Sequence, residues 1–229
     1  MKTFAFLSSF ALTASAQAVV LYNNGPVFDV PGSPNLSQLI SPNTTLGFGA
    51  QTTANNAVAD NFTAGTTWNV TKLTFYMYQS FAGSAFTFTG LNYQIASSHG
   101  DAISWTSASV TNGGLTAYRV TPTTLANRDR AIFAIDVAVN LVVGPGNYVL
   151  RWQASGSLAS GPWQPTTAPN NPGGNAQQSL AGAAFAQAID AGSGTGVELP
   201  FTISGTEVPA PGALSLIGMG ALVANRRRR

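Results

Sequence analysis

Few residues in this chain could do acid–base or nucleophilic chemistry. The single histidine, His99, stands in Ser97-Ser98-His99-Gly100-Asp101, where it could pair with Asp101 or serve a distant serine as a base. No Gly-x-Ser-x-Gly elbow accompanies it. Ser193, in Gly192-Ser193-Gly194-Thr195-Gly196, lacks a strand before it and a helix after it. His99 therefore reads as an exposed loop residue. The glycine run also reads as a loop, since no helix follows to offer an anion its positive end. Glycoside hydrolysis would need two carboxylates facing each other across a bond, one kept protonated by its surroundings. Asp60, Asp136 and Glu198 lie in or near strand-like segments and are the partners to consider, whereas Asp129, between Arg128 and Arg130, reads as a solvated turn. Cysteine is absent, which excludes disulfides, zinc–thiolate sites, iron–sulfur clusters and a thiolate nucleophile, and one histidine leaves no two-His metal cluster. The expectation is a protein that is not an enzyme, with no catalytic residue and no bound cofactor.

Two binding chemistries stay open. No Asp-x-Asp-x-Asp-Gly loop is present, but Asp29 or Asp60 with backbone carbonyls could hold a structural calcium ion. Aromatic rings offer apolar faces to sugar C–H groups while Asn, Gln and Asp bond hydroxyls, so Trp105, Trp163, Tyr76 and Tyr78 are candidate glycan contacts. Trp68 and Trp152 fall on alternating strands and are expected in the core. Trp163 has a competing reading as a lid packed over one end of that core.

The elements that must position these residues are strands. Residues 70–78, VTKLTFYMY, put Leu73, Phe75 and Met77 on one face and Lys72, Thr74, Tyr76 and Tyr78 on the other. The same alternation recurs at Phe86 and Phe88, Tyr93 and Ile95, Phe133 through Val139, Tyr148 through Trp152, and Leu199 through Ile203. Turn signals separate them: Phe81-Ala82-Gly83-Ser84, Asn112-Gly113-Gly114, Gly144-Pro145-Gly146-Asn147 and Pro172-Gly173-Gly174-Asn175. No long amphipathic helix competes. The expected fold is all-β, an antiparallel two-sheet β-sandwich of jelly-roll type spanning residues 19–206. Residues 31–56 and 154–176 are rich in Pro, Gly, Ser, Thr and Asn and read as long loops, the place where binding tends to reside.

The two ends differ from the body. Residues 1–18 combine Lys2, an apolar run over 4–14 and the small-residue exit Ala14-Ser15-Ala16-Gln17-Ala18. This is the pattern of a secretory signal peptide handled by the general secretion machinery and signal peptidase. Cleavage after Ala18 is favoured over cleavage after Ala16 because Val19 opens an extended apolar segment; a buried N-terminal helix is the competing reading. Residues 207–229 form the other end. Pro209-Ala210-Pro211 leads into an apolar run over 212–224, then Asn225 and Arg226, Arg227, Arg228 and Arg229. Thirteen helical residues reach about 20 Å, short of a roughly 30 Å hydrocarbon core, which suits a transient anchor. The arginines act as a stop-transfer signal that keeps the C-terminus cytoplasmic and the body outside. With both ends removed, Lys72, Arg119, Arg128, Arg130 and Arg151 face seven acids, so the mature body has no basic stripe for nucleic acid. Sequons at Asn35, Asn43, Asn61 and Asn69 reflect the abundance of Asn and Thr.

The order Pro209-Ala210-Pro211, short apolar helix, terminal arginine cluster resembles the PEP-CTERM sorting signal of bacterial exported proteins, over residues 208–229. Ala210 stands where glutamate is usual. The resemblance implies an exosortase-type membrane peptidase as partner and a setting at the cell surface or in extracellular matrix, with exopolysaccharide nearby. The body, with Asp60-Asn61-Phe62-Thr63, Trp68-Asn69-Val70 and Gly146-Asn147-Tyr148, is similar to exported bacterial β-sandwich proteins. The expected function is structural or adhesive, with a carbohydrate-binding module as first alternative and a glycoside hydrolase as second.

Overall fold

The computed structural model describes residues 18–170 and 173–208. Of the sequence expectations, the leader up to Gln17 (with Ala16) and the whole tail, Pro209-Ala210-Pro211, its apolar helix and the four arginines, lie outside the described residues. Among the described residues no helix is long and apolar enough to cross a membrane.

Among the described residues regular structure is strand, apart from one 3-10 turn at Thr52–Ala54. In chain order the strands are β1 (Val19–Asn23), β2 (Leu36–Gln38), β3 (Phe48–Gly49), β4 (Ala57–Ala64), β5 (Trp68–Met77), β6 (Phe88–Ala96), β7 (Thr106–Ala108), β8 (Thr111–Val120), β9 (Ala131–Val143), β10 (Gly146–Gly156), β11 (Trp163–Gln164), β12 (Gln177–Ser179), β13 (Ala186–Gln187) and β14 (Phe201–Glu207). One sheet has the order β1-β14-β5-β9-β8-β2, the other β13-β12-β4-β10-β6-β7, and β3 pairs with β11 alone. The long strands pair in nested fashion: β1 with β14, β4 with β10, β5 with β9, all antiparallel.

Period-two patterning decides which faces meet. Leu73, Phe75 and Met77 are fully buried, as their spacing predicts, and Lys72 and Tyr76 lie half-exposed on the other face. A bulge between Val70 and Lys72 resets the phase, so Trp68 and Val70 join the same inward face. Phe75 and Phe201 from one sheet meet Trp152 of the other at ring distances of 5.3 and 5.8 Å, which places a single core between the two sheets. Each such ring contributes roughly 1.5–3 kcal/mol of transfer free energy. Trp68 and Trp152 are buried as expected, and the Trp152 indole N–H donates to Gln164 Oε1 at 2.9 Å.

Two loop expectations need correction. Asn112-Gly113-Gly114 is not a turn; it lies inside β8, where the register slips past β9. Gly114 adopts φ +109°, and a Cβ on Gly113 would come within 2.9 Å of the Ala134 side chain, so these glycines serve a bulge and a close strand approach. The stretches 31–56 and 154–176 are not simply irregular. β3 from the first pairs with β11 from the second, so the two loops close on each other over one end of the sandwich.

Candidate functional site

The junction of those loops builds the most complete polar–aromatic site. β5 delivers Tyr78 just past its last residue, and Tyr78 bridges Trp163 through two backbone bonds, Tyr78 N to Trp163 O at 3.0 Å and Trp163 N to Tyr78 O at 2.8 Å. Gly161 makes the approach possible. At φ +97° it holds a conformation that L side chains rarely adopt, and a Cβ there would meet Trp163 Cδ1 at 2.7 Å. The Trp163 indole N–H donates to Ser160 Oγ at 3.2 Å, which fixes the ring, and its body packs on Tyr78, Val27 and Ile132. Trp163 is thus the lid the sequence allowed, and it also lines a cavity of about 240 Å³ with Leu46, Gly47, Ser80, Ser160, Tyr78 and Arg130.

Buried arginine chemistry supports this end from beneath. Arg119, fully buried on β8, donates to Ser37 Oγ (2.9 Å), Thr166 Oγ1 (2.8 Å), Leu46 O (3.1 Å) and Thr45 O (3.4 Å), fastening two loop segments and the short edge strand β2 to the sheet. Burial pulls its pKa down to about 10, against the opposing pull of Tyr78, Asp29 and Asp190, so it stays charged at neutral pH. Arg130 donates from Nε to Arg119 O at 3.0 Å. Burial pushes the Tyr78 phenol up to about 12 despite both guanidiniums, leaving it a neutral hydroxyl.

No protein-family model matches the chain, and no curated protein matches its sequence. The functional reading therefore rests on the geometry of these groups and on the signals carried by the sequence.

Two of the three strand-associated acids come together. Asp60 sits on β4 between Val58 and Phe62, on the face that supplies the core, and is fully buried. Its Oδ2 accepts from Leu199 N (2.7 Å) and Asn24 Nδ2 (2.8 Å), and its Oδ1 from Asn61 N (2.8 Å). The same Asn24 amide reaches Glu198 Oε2 at 3.4 Å, and Tyr22 anchors Asn24 through a 2.9 Å bond. Burial, then the Glu198 charge, pushes the Asp60 pKa up to about 8, so Asp60 holds a proton at neutral pH. The two carboxyls thus converge on the one Asn24 amide, at 2.8 and 3.4 Å. Asp136 is elsewhere, on β9, bound to Lys72 Nζ (3.0 Å) and Thr74 Oγ1 (2.6 Å).

The remaining candidates are scattered. Asp101 accepts from Ser97 N, Ser98 N and Ser98 Oγ, and Arg151 catches the carbonyls of Ser98, His99 and Asp101, so the turn holding His99 is clipped by its backbone. Burial and Arg151 lower the His99 pKa. Ser193 Oγ contacts Asp190 Oδ1 (3.3 Å) and Thr195 Oγ1 (2.9 Å), with no histidine beside it. For Asp190, burial works upward, but N–H groups of Ser193, Thr45, Thr44 and Gly192 hold the carboxyl below its ordinary value. Asp29 Oδ1 accepts from Gln38 N at 2.8 Å, and among the described residues no group of three or more acids or histidines gathers around Asp29 or Asp60. Trp105 precedes β7, at the far edge of the second sheet, and does not share the cavity that Trp163 lines. Tyr76, half-exposed on β5, lies within 3.3 Å of Thr202 Oγ1 through its hydroxyl. Sequence reasoning missed the roles of Arg119, Arg151 and Asn24. A usable signal was there for the arginines, two of only five cations in the body, each inside an apolar strand segment.

Proposed function

We propose that this chain is an exported, non-enzymatic β-sandwich of jelly-roll type that serves a structural or adhesive role at the cell surface or in extracellular matrix. The nested pairing of long strands, first with last and second with penultimate, is the pattern of an antiparallel ribbon rolled into two sheets and supports the jelly-roll assignment. The observation that carries the sorting reading is the pairing of β1 with β14. Val19 lies opposite Gly205, and Val208 N bonds Thr67 O at 2.8 Å, so the proposed cleavage point after Ala18 and the start of the tail sit side by side at one end of the sandwich. A domain held this way through Pro209-Ala210-Pro211, residues 212–224 and the stop-transfer arginines would stand clear of the membrane. The ten residues of β5 carry the chain from Trp68, opposite Glu207, to the Tyr78–Trp163 end, roughly 30 Å away. The partners of this reading are signal peptidase, an exosortase-type peptidase and extracellular polysaccharide.

Mass spectrometry of the chain recovered from the producing cells tests it. The expected product begins near Val19 and lacks the tail, and deleting residues 226–229 lets the precursor slip through the membrane. A mature chain that keeps its C-terminus removes the peptidase step and leaves residues 212–224 as a standing anchor. An intact polypeptide from Met1 to Arg229, dissolved in the cytosol, overturns the proposal.

A further inference from the structure

We propose that the cavity between Trp163 and Arg130 binds an anionic sugar, one uronate ring of an acidic polysaccharide. This deepens the adhesive reading above by naming what the domain would hold. Three features of the site point to that class of ligand.

The first is the indole. Trp163 lines the cavity with its N–H committed to Ser160 Oγ, so the ring is held in place and what it offers a ligand is apolar surface of the kind that packs on the C–H side of a pyranose. The second is Arg130. Its Nε is engaged by Arg119 O, while its two terminal amino groups make no hydrogen bond or ion pair among the described residues. The neighbouring Asp129 makes no ion pair with it; its Oδ2 takes the Asn127 amide at 3.0 Å. No acid lines the cavity. The deeper Arg119 spends its guanidinium on Ser37, Thr166, Leu46 and Thr45, which leaves Arg130 as the group able to take a carboxylate in a two-pronged contact. The third is the hydroxyl set. Ser80, Ser160 and the neutral Tyr78 phenol surround the same space and suit ring hydroxyls. At about 240 Å³ the cavity is smaller than sites that enclose a drug-sized ligand, roughly 300–1,000 Å³, and fits a single ring of a chain that continues into solvent. Its place at the Tyr78 end of β5, away from the first residue of β1 and the last of β14, leaves room for such a chain.

The net charge of the body sharpens the point. Residues 19–206 carry five basic and seven acidic groups, so the molecule as a whole repels polyanions, and an acidic glycan would have to be won locally. Arg119, Arg128 and Arg130 put three of those five cations at this end, with Arg128 held over the Tyr118 ring at 5.0 Å.

The test is calorimetric or NMR titration of the purified mature domain, residues 19–208, taken from the exported product. The probes are an oligoglucuronate and the neutral glucose oligomer of the same linkage. The expected result is binding of the uronate at least tenfold tighter than the neutral oligomer, with the preference shrinking as salt rises. Arg130→Gln should erase the preference while leaving residual binding of both, and Trp163→Ala should remove binding of both. Thermal melting of each variant separates loss of the site from loss of the fold, and Ser80→Ala offers a milder probe should Trp163→Ala fail to fold. Equal affinity for the two oligomers, a preference that survives Arg130→Gln, or no binding by a folded domain overturns the assignment. None of these results touches the sorting reading, which is decided by the termini of the exported chain.

Discussion

Arg119 and Asp60 are both charged-type side chains removed from water, and the fold treats them in opposite ways. Arg119 meets only neutral acceptors, two hydroxyls and two carbonyls, and keeps its charge. Asp60 meets N–H donors but also a second carboxyl, and keeps a proton instead. The difference lies in what each ties together. Arg119 gathers two loop segments, at 45–46 and 166, and the three-residue edge strand β2, for which a permanent cation with a rigid fork of donors is suited. Asp60 fastens β4 to Asn24 and Leu199, next to the terminal strands, where backbone N–H groups need an acceptor and a neutral acid costs less to bury than an ion. At these two positions buried charge is either surrounded by neutral acceptors or titrated away.

Removing the guanidinium is the largest perturbation this contrast predicts. Arg119→Met should leave the hydroxyls of Ser37 and Thr166 and the carbonyls of Leu46 and Thr45 without their donor. With about 1–3 kcal/mol for each buried polar group left unsatisfied, a loss of about 3 kcal/mol or more is expected. Urea unfolding reads it as a lower midpoint at unchanged slope. Because Arg119 titrates only near pH 10, the loss should be the same at pH 5 and pH 8. A loss that varied strongly between those values would mean that the two regions are not electrostatically separate.

Asp60→Asn breaks the other half of the comparison and should show itself in pH dependence. An Asp60 pKa raised to about 8 from an ordinary value near 4 means that the folded chain retains a proton the unfolded chain has released. Wild-type stability therefore falls as pH rises from about 4 through about 8, with the full contribution present only below that window. Asparagine removes the titrating proton, so the variant should flatten this slope, while its amide NH2 meets one of the N–H donors that Asp60 now accepts from and lowers stability at pH 5. Unfolding midpoints at pH 5 and pH 9 measure it. Parallel slopes for the two proteins would place the titrating proton somewhere other than Asp60.

The sequence made one side of this contrast much more visible than the other. Strand alternation located Leu73, Phe75, Met77, Trp152 and Phe201, because a half-buried sheet imposes period two on every residue it covers. The same rule, applied to Val58, Asp60 and Phe62, would have set Asp60 inward, but its partner Glu198 lies 138 positions away, brought alongside by the return of β14, which local patterning cannot encode. Trp163 stood out by type. Arg130 did not, since a guanidinium beside an aspartate reads as a surface turn until the loops are seen to close on it. The pairing of β3 with β11 involves two residues on each side, too short for any periodicity to register.

The smallest effect concerns Lys72 and Asp136, the one ion pair among the described residues, on the outward face of β5 and β9. The two side chains are 44% and 21% exposed, so water already solvates both charges and salt screens their attraction. Asp136 also holds Thr74 Oγ1 at 2.6 Å, a contact that survives loss of the lysine. Lys72→Met should therefore change stability by less than about 1 kcal/mol, and by less still in high salt, as read by urea midpoints at two ionic strengths. A loss comparable to that of Arg119→Met would mean that an exposed charge pair carries as much of this fold as a buried and fully partnered cation, and the distinction drawn between the two kinds of polar site would fail at its simplest point.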